Sequence, residues 1–110
     1  MRAAGDDRLD NVFHALANRT RRALLRSLAE GPARVTELAA PHRMSLAAVS
    51  KHLFVLERAG LIERKQKGSV QSCVLDPKAM LPADEWIANQ RRFWNSQIDR
   101  LAALVEREKS

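Results

Sequence analysis

The chain has 110 residues, a formal net charge of +6 and a single cysteine. This length suits one compact domain with a modest core, which would gain stability by dimerising. One cysteine excludes an internal disulfide framework, and no stretch approaches the roughly 20 apolar residues of a membrane-spanning helix. The N-terminus also lacks the apolar run of a secretory signal. We therefore expect a cytoplasmic protein.

The positive charge is concentrated in the middle of the chain. Residues 34–68 carry seven basic and three acidic side chains, whereas residues 69–110 carry six of each. A localised basic surface favours a polyanion as partner, because Lys and Arg release condensed counterions from nucleic acid. A solvated basic face would have the same composition, so charge alone does not identify the partner.

Two amphipathic helices are predicted in the first third of the chain. Residues 1–7 are predicted to be a short disordered tail, followed by a helix that begins near Arg8. Asn18 is a favourable N-cap for a second helix, which Gly31 and Pro32 end. The apolar residues at helical spacing are Leu9, Val12, Phe13 and Leu16 in the first helix and Leu24, Leu25 and Leu28 in the second.

A short helix, a turn and a longer helix are predicted next. The segment VTELAA, residues 35–40, forms about two turns before Pro41, and Ser45 caps a fourth helix that Gly60 ends. The inward stripe of this fourth helix is Leu46, Val49, Leu53 and Leu56. Its outward residues are Ala47, Ala48, Ser50, Lys51 and Phe54. This pattern is typical of a helix-turn-helix, whose second helix enters the major groove of DNA.

A β-hairpin is predicted directly after the fourth helix. Two short alternating runs within residues 61–75 flank a turn at Lys67, Gly68 and Ser69. Its basic tip would be Arg64, Lys65 and Lys67. A hairpin in this place is a wing that contacts phosphates or the adjacent minor groove. The predicted fold is therefore mainly α with a small β-hairpin wing.

Three motifs in order resemble the ArsR family of bacterial winged-helix repressors, across residues 10–107. They are ALANRTRRALLRSLAEG in the second helix, VTELAAPHRMSLAAVSKHLFVLERAGLI in the helix-turn-helix, and RKQKGSVQSCVL in the wing. The match is closest to a branch that lacks the family's metal-binding sites and carries a Trp-rich last helix, here DEWIANQRRFW. The resemblance implies a homodimeric, sequence-specific repressor with a DNA-binding core at residues 8–81 and a dimerisation helix at 82–110.

By the same resemblance, the outward residues of the fourth helix read DNA. These carry over to Ser45, Ala47, Ala48, Ser50, Lys51 and His52. Lys51 can meet guanine acceptors and Ser50 a base or a phosphate, whereas His52 is equally suited to reading and to packing. Phe54 stands where the branch usually has a polar or basic residue, which predicts a lost phosphate contact. Ala47 replaces a frequent proline, and Cys73 a frequent aromatic residue.

The last helix is expected to pair two copies of the chain. Residues 83–107 would span about 37 Å, far more than this core could cover. In the resembling family the first and last helices pair with their copies around a two-fold axis. The predicted interface is Val12, Leu16, Ile87, Trp94, Ile98, Leu101 and Val105. Such a dimer requires an inverted-repeat operator. Alternatively the helix folds back along its own domain, at least around Trp86.

Several other functions are disfavoured by the residues present. Metal sensing is disfavoured because residues 35–42 lack cysteine, residues 83–107 lack histidine, and the three histidines are spread over separate elements. Redox sensing by Cys73 is an alternative, although a lone cysteine in an alternating strand is usually a small core residue. No phosphate loop, nucleophile elbow or carboxylate pair indicates an enzyme, and no cofactor is predicted.

Three further alternatives concern partners. A winged helix that binds protein instead of DNA is disfavoured by the basic wing. Arg21 and Arg22 could contact phosphate, but for Arg21 a structural role is favoured. An unknown small-molecule effector is also conceivable, in a pocket at the dimer interface, although aromatic residues at helical spacing are usually core. The residues of that pocket would be Trp86, Phe93 and Trp94.

Overall fold

The computed structural model describes residues 4–109. In chain order the elements are α1 (Ala4–Leu16), α2 (Arg19–Leu28), β1 (Ala33–Arg34), α3 (Val35–Ala39), α4 (Leu46–Arg58), β2 (Ile62–Lys67), β3 (Val70–Leu75), a 3-10 turn (Pro77–Met80) and α5 (Leu81–Lys109). The predicted fold, mainly α with a small β wing and a helix-turn-helix formed by α3 and α4, is confirmed.

Helix α1 begins earlier than predicted. Residues 4–7 belong to the helix and not to a disordered tail, whereas residues 1–3 of that predicted tail lie outside the described residues. Asp6 and Asp7 lie in the first turn, where negative charge interacts favourably with the positive end of the helix dipole. This interaction favours the earlier start.

The core lies where α1, α2 and α4 meet the sheet. Leu24 of α2 and Val49, Leu53 and Leu56 of α4 are all fully buried, as their helical spacing predicts. Leu46 was predicted to belong to the same stripe, but it is 51% exposed. As the first residue of α4, it lies beyond the edge of the core and faces the wing.

The N-termini of α2 and α4 are capped as predicted. The Asn18 side-chain oxygen accepts a hydrogen bond from the Arg21 backbone N–H at 3.0 Å, and Ser45 Oγ accepts one from the Ala48 N–H at 3.1 Å. At the other end of α4, Gly60 has a φ of +78°, which glycine adopts at little cost. The chain thereby turns from α4 into β2.

The wing belongs to a three-stranded antiparallel sheet in the order β1-β3-β2. Lys67 pairs with Val70 across a two-residue turn of Gly68 and Ser69, and Gly68 has a φ of +63°. This confirms the predicted hairpin, with glycine at the first turn position as the tight turn requires. The third strand, Ala33–Arg34, pairs with β3 and was not predicted.

Helix α5 extends well beyond the core. Its 29 residues span about 43 Å, and the molecule measures 72 × 35 × 22 Å. Near its start Ala83 is buried, and the Trp86 ring meets the Phe13 ring of α1 edge-on, with 5.6 Å between centroids. The first part of α5 therefore folds back on its own domain, as the alternative interpretation anticipated. From Ile87 onward its large apolar side chains are exposed.

Candidate nucleic-acid interface

Helix α4 presents an exposed line of side chains. Ala47, Lys51, Phe54 and Arg58 are three or four residues apart and all exposed, so they lie along one face of the helix. Of the other residues predicted to contact DNA bases, Ser45 is exposed. Ala48, Ser50 and His52 are half-buried at the sides of this exposed face. Ser45 Oγ accepts the capping hydrogen bond from the Ala48 N–H, so the Ser45 hydroxyl can still donate its proton to a partner.

The wing separates its basic residues by strand alternation. Lys65 and Lys67 are two residues apart on β2, so both lie on one face of the sheet, and both are exposed. Arg64 lies on the opposite face, and its Nη2 donates to Gln71 Oε1 at 3.1 Å. The structure therefore does not bring the three predicted basic residues into one cluster. The exposed pair, Lys65 and Lys67, forms the basic face of the wing.

A groove of about 370 Å³ runs between the wing and the start of α4. Leu46 and Ser50 line it from α4, while Ser69, Val70 and Gln71 line it from the wing. Serine hydroxyls and the glutamine amide are groups that commonly contact sugar and phosphate. Neither Ser69 nor Gln71 was singled out from the sequence. Ser69 lies in the hairpin turn next to Lys67, whereas Gln71 lies on the Arg64 face of the wing.

Arg21 and Arg22 both bind the C-terminus of α1. Arg21 Nε donates to the Ala15 carbonyl and Nη2 to the His14 carbonyl, both at 2.8 Å, while Arg22 Nη1 donates to the Leu16 carbonyl at 2.7 Å. Carbonyls at a helix C-terminus lack partners within the helix, and positive charge there is favourable. Arg21 is only 9% exposed, which confirms its structural role.

His52 contacts the same arginine. Its Nδ1 lies 3.3 Å from Arg21 Nη1. Because a guanidinium can only donate, Nδ1 must accept, and the ring proton of neutral His52 is on Nε2. Burial lowers the pKa of His52, and the positive charges of Arg21 and His42 lower it further. One nitrogen of His52 thus holds α4 to α2, and the other remains a donor.

A lowered pKa of His52 predicts a pH-dependent stability. The folded protein binds the His52 proton less readily than the unfolded chain, so this contribution is present above the unfolded pKa of about 6.5 and is lost as pH falls below it. We expect the urea midpoint to fall more between pH 7.5 and pH 5.5 in the unmodified protein than in His52→Gln. An identical pH dependence of the two midpoints would contradict this assignment.

Cys73 is 1% exposed and belongs to the core cluster, in agreement with its predicted role as a small core residue. Burial raises the pKa of its thiol, which lowers the reactive thiolate fraction. Among residues 4–109, no group of three or more His, Cys, Asp or Glu side chains is placed to hold a metal ion. Within the same range no helix combines the length and apolarity needed to cross a bilayer.

The exposed face of α5 matches the predicted pairing helix in part. Ile87, Trp94, Ile98, Leu101 and Val105 are between 41% and 62% exposed. The face also includes residues that the spacing argument missed, namely Phe93 and Leu104. Val12 requires a correction, because it is 2% exposed and packs in the core of its own chain. Leu16 is half-buried, packed against the same core.

The three aromatic residues considered for an effector pocket divide into two groups. Trp86 packs against Phe13 of its own chain, as described above. Phe93 and Trp94 contact each other, with ring centroids 6.0 Å apart, and are 55% and 60% exposed. The latter two rings therefore belong to the exposed face of α5.

Comparison with known proteins identifies relatives. The model of bacterial regulatory proteins of the arsR family matches residues 18–64. The HTH-type transcriptional regulator Rv2034 of Mycobacterium tuberculosis is 36% identical over 99 residues, which cover 90% of each chain. The crystal structure of an ArsR family transcriptional regulator has a TM-score of 0.79 at 38% identity, covering 87% of this chain and 98% of that one.

A third comparison concerns assembly. The solution structure of the homodimeric winged helix-turn-helix DNA-binding domain Mb0332 from Mycobacterium bovis has a TM-score of 0.62 at 29% identity. It covers 79% of this chain and 82% of that one. With the family model and the 36% identical relative, the likeness extends over most of the chain. The protein described here therefore belongs to the ArsR family of winged helix-turn-helix transcriptional regulators.

Proposed function

We propose that the protein is a homodimeric repressor that binds an inverted repeat in the promoter of its own or a neighbouring operon. Helix α4 reads the major groove through Lys51 and its neighbours, and Lys65 and Lys67 of the wing bind phosphates. Two exposed surfaces carry this proposal. One is the face of α4 with Ala47, Lys51, Phe54 and Arg58, and the other is the face of the wing that carries Lys65 and Lys67. A DNA-binding role places the protein in the cytoplasm.

The exposed apolar face of α5 supports the dimer in this proposal. Contiguous apolar patches of this kind on small domains usually mark an interaction site. The homodimeric relative Mb0332 makes a second copy the natural occupant. We assign Phe93 and Trp94 to this interface and not to an effector site, because they continue the same exposed face. No catalytic role is proposed, since the family consists of regulators.

Selection from a genomic library tests the proposal directly. Purified protein is mixed with genomic DNA fragments, and retained fragments are sequenced. We expect one inverted repeat whose half-sites are separated by about one helical turn or a multiple of it. Transcription in vitro from a promoter carrying that repeat should fall as protein is added. Absence of any enriched sequence, or unchanged transcription, would contradict the repressor role.

Lys51 and the wing lysines are expected to contribute differently to DNA binding. Lys51→Ala should lower operator affinity by roughly 1–3 kcal/mol while leaving random DNA nearly unaffected, if Lys51 meets a guanine. Lys65→Ala and Lys67→Ala should each weaken binding to all sequences and reduce the salt slope by about one unit. Equilibrium titrations at several salt concentrations measure both effects.

Lys109→Ala provides the matched control for charge. It removes the same positive charge at the far end of α5, where no DNA contact is proposed. Operator affinity should then change little. If Lys51→Ala lowers affinity for operator and random DNA equally, Lys51 is a phosphate contact and not a reader.

A further inference from the structure

One large side chain on the DNA-facing line of α4 has no role in the proposal above. Phe54 lies on the same exposed face as Ala47, Lys51 and Arg58, and its side chain is 52% exposed. The core needs nothing from this position, because Val49, Leu53 and Leu56 fill the buried face of α4. Phe54 therefore places apolar surface between two positively charged side chains of the same exposed face, Lys51 and Arg58.

The exposed ring of Phe54 has neighbours on α4 and α1 that restrict its motion. The Arg58 guanidinium carbon lies 5.9 Å from the ring centroid, a cation–π contact between successive turns of the helix. A cleft of about 120 Å³ beside the ring is lined from α1 by Asn11 and His14. A ring with restricted motion loses little conformational entropy when a partner covers it.

The chemistry of the partner follows from continuity with the DNA-binding face, and this step rests on the proposed function. Phe54 follows Lys51 by three residues, which is about 4.5 Å along the helix, or between one and two base-pair steps. The major groove exposes one apolar group to such a side chain, the 5-methyl group of thymine. A phenylalanine offers no hydrogen bond to the polar base edges or to phosphate.

We propose that Phe54 is a specificity-determining residue that contacts a thymine methyl group in each operator half-site. The contact adds preference for thymine at a position beyond the one that Lys51 reads. It gains its free energy by removing both the methyl group and the ring from water. Arg58 orients the ring and contributes its own charge towards the DNA.

The test removes single methyl groups from the DNA. In the operator obtained by selection, each thymine is replaced by deoxyuridine at symmetry-related positions of both half-sites, and affinity is measured for the unmodified protein and for Phe54→Ala. At one position the unmodified protein should lose about fourfold in affinity per half-site, the value expected for one buried methyl group. Phe54→Ala should bind the operator more weakly and be insensitive to deoxyuridine there.

Two further variants serve as controls. Phe54→Leu keeps an apolar side chain and should retain part of the deoxyuridine effect. Leu81→Ala shortens an exposed apolar residue at the start of α5, which is assigned to neither proposed interface, and should retain all of it. Equal deoxyuridine effects in the unmodified protein and Phe54→Ala would overturn the proposal. So would unchanged operator affinity of Phe54→Ala. If the protein is not a DNA-binding repressor, the genomic selection will enrich no operator. That result is distinct from a failure of the Phe54 proposal.

Discussion

Replacing Ile98 and Leu101 together by glutamate is expected to convert the dimer into monomers and remove most operator affinity. Both side chains lie on the exposed face of α5 and are 60% and 62% exposed. In a two-fold interface the double variant would place four carboxylates among apolar side chains, which costs several kcal/mol. Sedimentation velocity at micromolar concentration measures the assembly, and operator titration measures the affinity.

The matched control places the same charges on the other side of the helix. Ser96 and Ala103 are exposed, seven residues apart, and face away from Ile98. Ser96→Glu with Ala103→Glu should therefore leave both the dimer and operator binding intact. The interface assignment would be wrong if the unmodified protein sediments as a monomer at micromolar concentration, or if the Ile98/Leu101 double variant remains a fully active dimer. The inference of an inverted repeat would then fall with it.

Arg21→Ala is expected to lower the free energy of unfolding by about 3 kcal/mol. The substitution leaves the buried Ala15 carbonyl without its side-chain donor and takes from the His14 carbonyl one of its two donors, the other being the Ala17 N–H. It also removes the contact with His52. A cavity in the position of the guanidinium adds to the loss. Urea unfolding followed by circular dichroism measures this change, at one fixed protein concentration because the dimer contributes to stability.

Arg22→Ala is a control that removes the same kind of hydrogen bond from a solvent-exposed arginine. Its guanidinium also donates to a carbonyl of α1, but the side chain is exposed, so solvent can replace the lost hydrogen bond. We expect a loss of no more than about 1 kcal/mol. Equal losses for the two arginines would show that burial of Arg21 contributes nothing, and that its contacts with α1 and α4 are incidental.

The sequence allowed the elements with strong local signals to be predicted. Asn18 and Ser45 are capping residues, Gly60 is a helix stop and Gly68 marks a tight turn, and each lies where its chemistry predicts. Strand β1 could not be predicted, because its two residues have no periodicity and become a strand only by pairing with β3. Local patterns report local structure, whereas β1 depends on a contact about 40 residues away along the chain.

The candidate interface was predictable to a similar extent. Helical spacing placed Ala47 and Lys51 on the exposed face of α4, and strand alternation in principle separates Arg64 from Lys65. Spacing alone could not show that Val12 is needed by its own core, because the first helix has one apolar face that could serve either purpose. The contact between Arg21 and His52 joins residues 31 positions apart and has no sequence signature.

The Arg21 side chain also has a geometric consequence for the dimer. One guanidinium binds two carbonyls of α1 and a ring nitrogen of α4, at 2.8 to 3.3 Å. Because hydrogen bonds are lost beyond about 3.5 Å, moving α4 away from α1 by about one ångström would break at least one of these contacts. In the proposed dimer, each protomer would therefore hold α4 in a fixed position relative to its own α1. The distance between the two copies of α4, and with it the preferred half-site spacing, would then depend on how the two copies of α5 pair.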